Sequence, residues 1–173
     1  MTEENITLEN YPFTSVMNLE KDEAVYFKFE EDFVEENIRC IPMCVRFKLD
    51  ACGIKLQLRE WSKMSVAERN NLAEMSCITD KAIRKYRSYL KHIIFNHTGK
   101  EATELLIEQN PAWNNVYEIP QLFIGKLKEF DWIISLRQWR ELSNLQRFVL
   151  MKLCKPGHEN KNFPKAIKEF GLA

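Results

Sequence analysis

The sequence predicts an all-α fold: a compact multi-helix bundle made of two duplicated helical units, with a short extended arm at its N-terminus. Three observations carry that expectation. Apolar residues recur at helical spacing between residues that start and stop helices. Ten of 35 positions match when the chain is shifted by 78 residues against itself. Apolar residues are 45% of the 173 and aromatics 12%, enough for a substantial core.

Residues 1–24 are polar, contain Pro12 and show no sustained period, so they read as an acidic, poorly ordered arm before a single helical domain over 25–173. Residues 1–37 hold eleven carboxylates against Lys21 and Lys28, a balance of −9, whereas the remaining chain carries 23 cations and 14 anions, a balance of +9. An arm folded back over that body and an arm free for a partner both fit this split. Val25–Phe29 reads as an extended aromatic run packed on the body, and Tyr26–Phe33 also suits pairing across a homodimer.

Helix signals accumulate from Ile41. Pro42 suits a first helical position and Gly53 a stop. Ser65 and Glu68 have the form of a capping box, and Gln57 stands where a small capping residue is expected. Thr79-Asp80 opens a helix running to His97. Its positions Ala82, Ile83, Tyr86, Tyr89, Leu90, Ile93 and Ile94 form one buried face, and Thr98-Gly99-Lys100 ends it. Residues 101–117, with Pro111, read as a connector holding one short helical turn. A last helix, Phe163–Phe170, starts after Asn162 with Pro164 and stops before Gly171.

The self-match sets Ile41–Met75 on Ile119–Leu153 without a gap, with identities that include Pro42/Pro120, Lys48/Lys126, Trp61/Trp139, Ser65/Ser143 and Arg69/Arg147. The two units therefore span about 41–97 and 119–172. Asn70 and Asn71 become Phe148 and Val149, and Lys55 becomes Ile133, so the second unit is expected to be the more buried. Trp61 and Trp139 read as core anchors. Arg69 and Arg147 read as structural, bonding helix-end carbonyls or facing carboxylates.

Few residues point to chemistry. Cys40, Cys44, Cys52, Cys77 and Cys154 lack the two close pairs of a zinc site, so they read as reduced, buried thiols of a cytoplasmic protein with no metal and no cofactor. No apolar run is long enough for a membrane, and no secretory signal is read. His158, Glu159, Asn160 and Asn162 crowd an inter-helix loop. The structural alternative is that Asn160 and Asn162 cap the last helix while His158 bonds the preceding carbonyls. Lys81, Arg84, Lys85, Arg87, Lys91 and His92 mark a basic helix face, but a pI near 6.8 and the acidic arm disfavour nucleic acid. No catalytic or phosphate-binding motif appears.

Cys40-Ile41-Pro42-Met43, Val45-Arg46-Phe47-Lys48-Leu49-Asp50 and Gly53-Ile54-Lys55-Leu56 together resemble the signature of the nitrate reductase-associated protein family. So do Leu145-Gln146-Arg147-Phe148, Lys152-Leu153, Pro156, His158-Glu159-Asn160, Asn162-Phe163 and Glu169-Phe170. The resemblance spans about Phe27 to Leu172. It implies a non-enzymatic accessory role in nitrate assimilation, beside a molybdenum-containing assimilatory nitrate reductase. Arg46, Lys48, Asp50, Lys55, His158, Glu159, Asn160 and Asn162 are the candidate partner surface. Two further readings stand beside this one: a helical nucleic-acid-binding regulator, and a metal- or cofactor-binding chaperone using the cysteines.

Overall fold

A computed structural model describes residues 26–30, 40–157 and 161–173. The arm over 1–24 lies outside the described residues. Among the described residues eight α-helices run in order: α1 Met43–Cys52, α2 Leu58–Trp61, α3 Val66–Glu74, α4 Asp80–Thr98, α5 Gln121–Lys128, α6 Leu136–Glu141, α7 Asn144–Leu153 and α8 Phe163–Glu169. The fold is predominantly α. Among the described residues it includes a miniature antiparallel sheet in which β1 (Ile54–Lys55) faces β2 (Thr103–Glu104), the latter inside the predicted connector. The connector's short helical turn is present as a 3-10 turn at Ala112–Asn114.

Local chemistry explains the helix ends. Ser65, Ser135 and Ser143 each accept the amide three residues on, and the side chains of Glu68, Gln138 and Gln146 reach back to the serine N–H at 2.7, 2.9 and 2.8 Å. Gln57 is served the same way, its N–H bonded by Glu60 at 2.7 Å. Pro42 and Pro120 stand one position before their helices. Three helix starts recur at the spacing of the internal match: Met43 and Gln121, Leu58 and Leu136, and Val66 and Asn144 stand 78 residues apart (121 − 43, 136 − 58, 144 − 66). The exits differ in place: Gly53 closes α1 at φ 65°, whereas α5 stops at Lys128, and Asp131, 78 positions after Gly53, is the single non-glycine with positive φ among the described residues, at 56°.

The buried side chains form two clusters with α1 between them. Cys44, Val45, Leu49 and Cys52 face the first, with Trp61, Leu72, Tyr86 and Leu90. Met43 faces the second, with Phe123, Trp139, Phe148, Leu150 and Phe163, and Phe47 sets its ring edge-on against Phe148 at 5.2 Å. Phe148 and Val149 are fully buried where Asn70 is exposed, so α7 runs through the core while α3 keeps a wet face. Ile133 corrects the expected trend: it is 92% exposed. Like Lys55, it follows a left-handed residue, and that shared turn aims both side chains outward whatever their chemistry.

The described stretch 26–30 is packed on the body but is not extended; Lys28–Glu30 forms a 3-10 turn. Two carboxylates impose it. Glu169, at the end of α8, accepts the N–H groups of Lys28 and Phe29 at 2.9 and 3.1 Å. Glu30 accepts those of Phe27 at 3.3 Å and Met43 at 3.0 Å, placing an anion on the N-terminus of α1. Phe27 and Phe29 stack on each other and abut Phe170, which buries both rings against the body.

A second polar tie joins α3 to the end of α4, where His97 Nε2 meets Glu68 Oε2 at 2.8 Å. Burial alone would raise the Glu68 carboxyl, but hydrogen bonds from the Ser65 N–H, the His97 ring and the Ser65 hydroxyl outweigh it and hold the group below its ordinary value. A depressed folded pKa stabilises the fold above the unfolded value and loses that contribution as pH falls through the folded one. Glu68→Gln is therefore expected to flatten the acid limb of a Tm-against-pH profile followed by circular dichroism. An unchanged slope would show the tie to be energetically idle.

Gly53 also makes a close approach. A Cβ there would sit 2.7 Å from the Leu105 carbonyl oxygen and 2.8 Å from Ile107 Cγ1, on a backbone already left-handed. Gly53→Ala should cost about 2 kcal/mol or more, roughly 5 °C in Tm. The equivalent change at Gly99, where an added Cβ meets nothing within 4 Å, should cost less in the same thermal melt.

Candidate functional site

Of the five described residues predicted for the partner surface, Arg46, Lys48 and Asp50 are engaged by the fold. Lys48 is only 8% exposed, and its Nζ donates to the carbonyls of Ala73 and Met75, both at 2.7 Å, closing the C-terminus of α3. Arg46 turns back to its own helix start, Nε donating to the Ile41 carbonyl at 2.8 Å. Asp50 is half-buried and paired with Lys152 of α7 at 2.8 Å. Lys55 is exposed on β1. Asn162 is buried, makes no side-chain cap to α8, and leaves its Oδ1 without a hydrogen-bond partner. His158, Glu159 and Asn160 lie outside the described residues.

Trp61 and Trp139 are buried core residues, and Trp139 Nε1 donates to the Asn115 carbonyl at 2.9 Å. Arg69 Nη1 donates to the Met64 carbonyl at 2.8 Å, and Arg147 Nη1 to that of Leu142, the matching position of the second unit. Arg147 reaches further. Its Nε donates to the Trp113 carbonyl at 2.8 Å and its Nη2 to Asn144 Oδ1 at 3.0 Å, while burial lowers its pKa.

Burial pushes Cys44 and Cys52 up to about 11 and Cys154 up to about 12, which keeps these thiols protonated and inert. Among the described residues no three His, Cys, Asp or Glu side chains converge on a possible metal position. On α4, Lys81, Arg84 and Lys85 are exposed, but Arg87 and Lys91 are drawn onto Glu104 at 2.7 and 3.0 Å, which shortens the basic stripe.

What stays open is a cleft of about 780 Å³ between the two clusters. Its floor holds Phe47 and the Asp50–Lys152 pair; Lys152 Nζ also lies 5.1 Å from the centre of the Phe148 ring. Leu105, Leu106, Ile107 and Glu108 form one lip, and Ile78, Leu145 and Trp113 line the other parts. The rim is unusually apolar for solvent: Leu106 is 101% exposed and Ile78 77%. Of the described predicted partner residues, Asp50 alone lines this cleft. Periodicity does not single out the aliphatic lip, because it sits in a polar connector. Its signal was the run Leu105-Leu106-Ile107 between two glutamates.

A model of the conserved nitrate reductase-associated proteins matches residues 26–170. The chain belongs to that family. The match takes in α1 with both its caps, the cleft and α8, and stops at Phe170, the ring against which Phe27 and Phe29 pack. No curated protein and no solved structure matches the chain. No helix among the described residues is long and apolar enough to cross a membrane.

The placement of the two family-signature lysines separates their roles. Lys48→Met would strip the α3 carbonyls of a charged donor, for an expected loss of about 2 kcal/mol. Lys55→Glu, on an exposed side chain, should leave the urea midpoint unchanged within about 0.5 kcal/mol. Equal effects of the two in urea unfolding would overturn the assignment of Lys48 to the fold.

Proposed function

We propose that this protein is a non-catalytic accessory factor of the cytoplasm, which binds the assimilatory molybdenum nitrate reductase and supports its activity or maturation. Family membership supplies the connection to nitrate reductase. The observation that carries the reading is the apolar-rimmed cleft, a surface built for contact with protein rather than water. Within it Asp50 and Lys152 pair with each other at 2.8 Å, and the other polar lining residues are Glu108, Asn114, Ser143 and Asn144. With Arg46, Lys48 and Asp50 occupied internally, the contact surface moves from the signature's charges to the cleft lip, with Lys55 beside it on β1.

The purified chain, used as bait in an extract of nitrate-grown cells of its source, is expected to retain the nitrate reductase polypeptide, identified by mass spectrometry. Retention should persist at physiological salt, since an apolar contact is not screened. An extract that yields no reductase, or one that loses it on modest salt addition, would refute the proposal as stated.

A further inference from the structure

The cations of α4 are unevenly answered. Arg87 and Lys91 are held by Glu104 at 2.7 and 3.0 Å. Lys81, Arg84 and Lys85, on the first two turns, are exposed and make no ion pair among the described residues. Their i, i+3, i+4 spacing crowds them onto one helix face, where like charges repel, and Asp80 is the one carboxylate of those turns. Ile78, two residues ahead of the helix, is 77% exposed. This face lacks an anion and an apolar contact.

The path of the chain brings both within reach. Glu68 meets His97 at 2.8 Å, and Asn71 Nδ2 donates to the Tyr89 hydroxyl at 3.3 Å. Helices α3 and α4 therefore run antiparallel, and the end of α3 lies against the first half of α4. Tyr26 sits at that same end. Burial first, then the nearby Cys44 and Glu74, raise its phenol, and Glu74 is the last residue of α3. The 25 residues ahead of Tyr26 carry six carboxylates against Lys21. Glu20, Asp22 and Glu23 stand three to six residues from Tyr26, a reach of roughly 10–20 Å at about 3.3 Å per residue. Leu19 precedes them. The family match starts at Tyr26, so this acidic segment lies ahead of it.

From these placements we infer that the segment Leu19–Glu23 folds back over the start of α4, its carboxylates set against Lys81, Arg84 and Lys85 and Leu19 on Ile78. Tethering favours this occupant over a second copy or an acidic partner, because a short linker supplies an effective concentration of about 1 mM. Ile78 also lines the cleft, so the docked segment narrows its mouth and a partner must displace it. The docking stands on the charges and the chain path; the identity of the displacing partner rests on the accessory reading.

The test is carbodiimide cross-linking of the full chain, which joins a carboxylate to a lysine amine in contact with it. It is read by mass spectrometry on an equal mixture of unlabelled and heavy-nitrogen-labelled protein. Glu20, Asp22 and Glu23 are expected to join to Lys81 and Lys85 within single molecules. These links should fall roughly tenfold at about 1 M salt, where the Debye length is about 3 Å. Arg84→Glu removes no cross-linkable amine and lies on an exposed side chain, yet it should weaken the links severalfold. Neutralising the segment with Glu20→Gln, Asp22→Asn and Glu23→Gln should raise retention of nitrate reductase by the chain roughly threefold.

No links, links from these carboxylates to other lysines, or links indifferent to Arg84→Glu would overturn the inference. Links joining labelled to unlabelled chains would give the face to the arm of a second copy instead. Equal retention of the reductase by the unaltered and neutralised chains would remove the segment's hold on the cleft while leaving the accessory reading intact. Retention by neither, with the links as expected, would remove that reading and leave the docked segment.

Discussion

Helix α1 is shared by both cores and has no side-chain cap at its N-terminus, so the rest of the fold must satisfy that end. An α-helix leaves four amides at its N-terminus and four carbonyls at its C-terminus seeking partners. At the N-terminus the buried Glu30 carboxylate takes the Met43 N–H and adds an anion where the helix dipole favours one. At the C-terminus Gly53 turns left-handed and returns its N–H to the Leu49 carbonyl. Arg87 of α4 then donates to the carbonyls of Cys52 and Gly53. The same guanidinium pairs with Glu104, so the device that closes α1 also sets β2 beside β1 and fixes the lip of the cleft.

Much of this was legible where the cause is local. Capping boxes read directly because donor and acceptor are three residues apart, and Gly53, Gly99 and Gly171 marked stops because each takes a positive φ. What could not be read were the distant partners of polar residues. Lys48 sits among charged neighbours in the signature, yet its ammonium belongs to carbonyls 25 and 27 residues away. Glu169 organises a turn 141 residues earlier in the chain. A sequence shows that a group is charged; only the packing shows which orphaned backbone group it answers. The candidate site was missed for the same reason, since the apolar run at Leu105 acquires meaning only beside Gly53 and Ile78.

Matching positions in the two halves can also diverge in use. Lys48 and Lys126 are both 8% exposed. Lys48 closes α3, whereas Lys126 pairs with Glu129 at 2.5 Å and lies 5.7 and 5.9 Å from the rings of Phe130 and Phe163. The difference follows from aromatic filling: Phe130 stands where the first half has Cys52, and Phe163 packs beneath it. A cation surrounded by rings is held there by their faces and by the adjacent carboxylate, and no longer reaches a helix end.

The open lip is held at both ends by anchors in different cores. On one side Leu105 is tied to Gly53, and Glu104 to Arg87 and Lys91. On the other, Arg147, Trp139 and Arg140 hold the carbonyls of Trp113, Asn115 and Val116 at 2.8, 2.9 and 3.0 Å. Leu106 lies between these anchors and is held in water by them, since an aliphatic side chain gains nothing from exposure there. Burying such a side chain is worth about 1.5–3 kcal/mol. That free energy goes unused in the isolated chain and becomes available when a partner covers the lip. An exposed leucine on a loose loop could turn inward and stabilise the monomer. One fixed between two anchors cannot, and its burial is left to whatever binds.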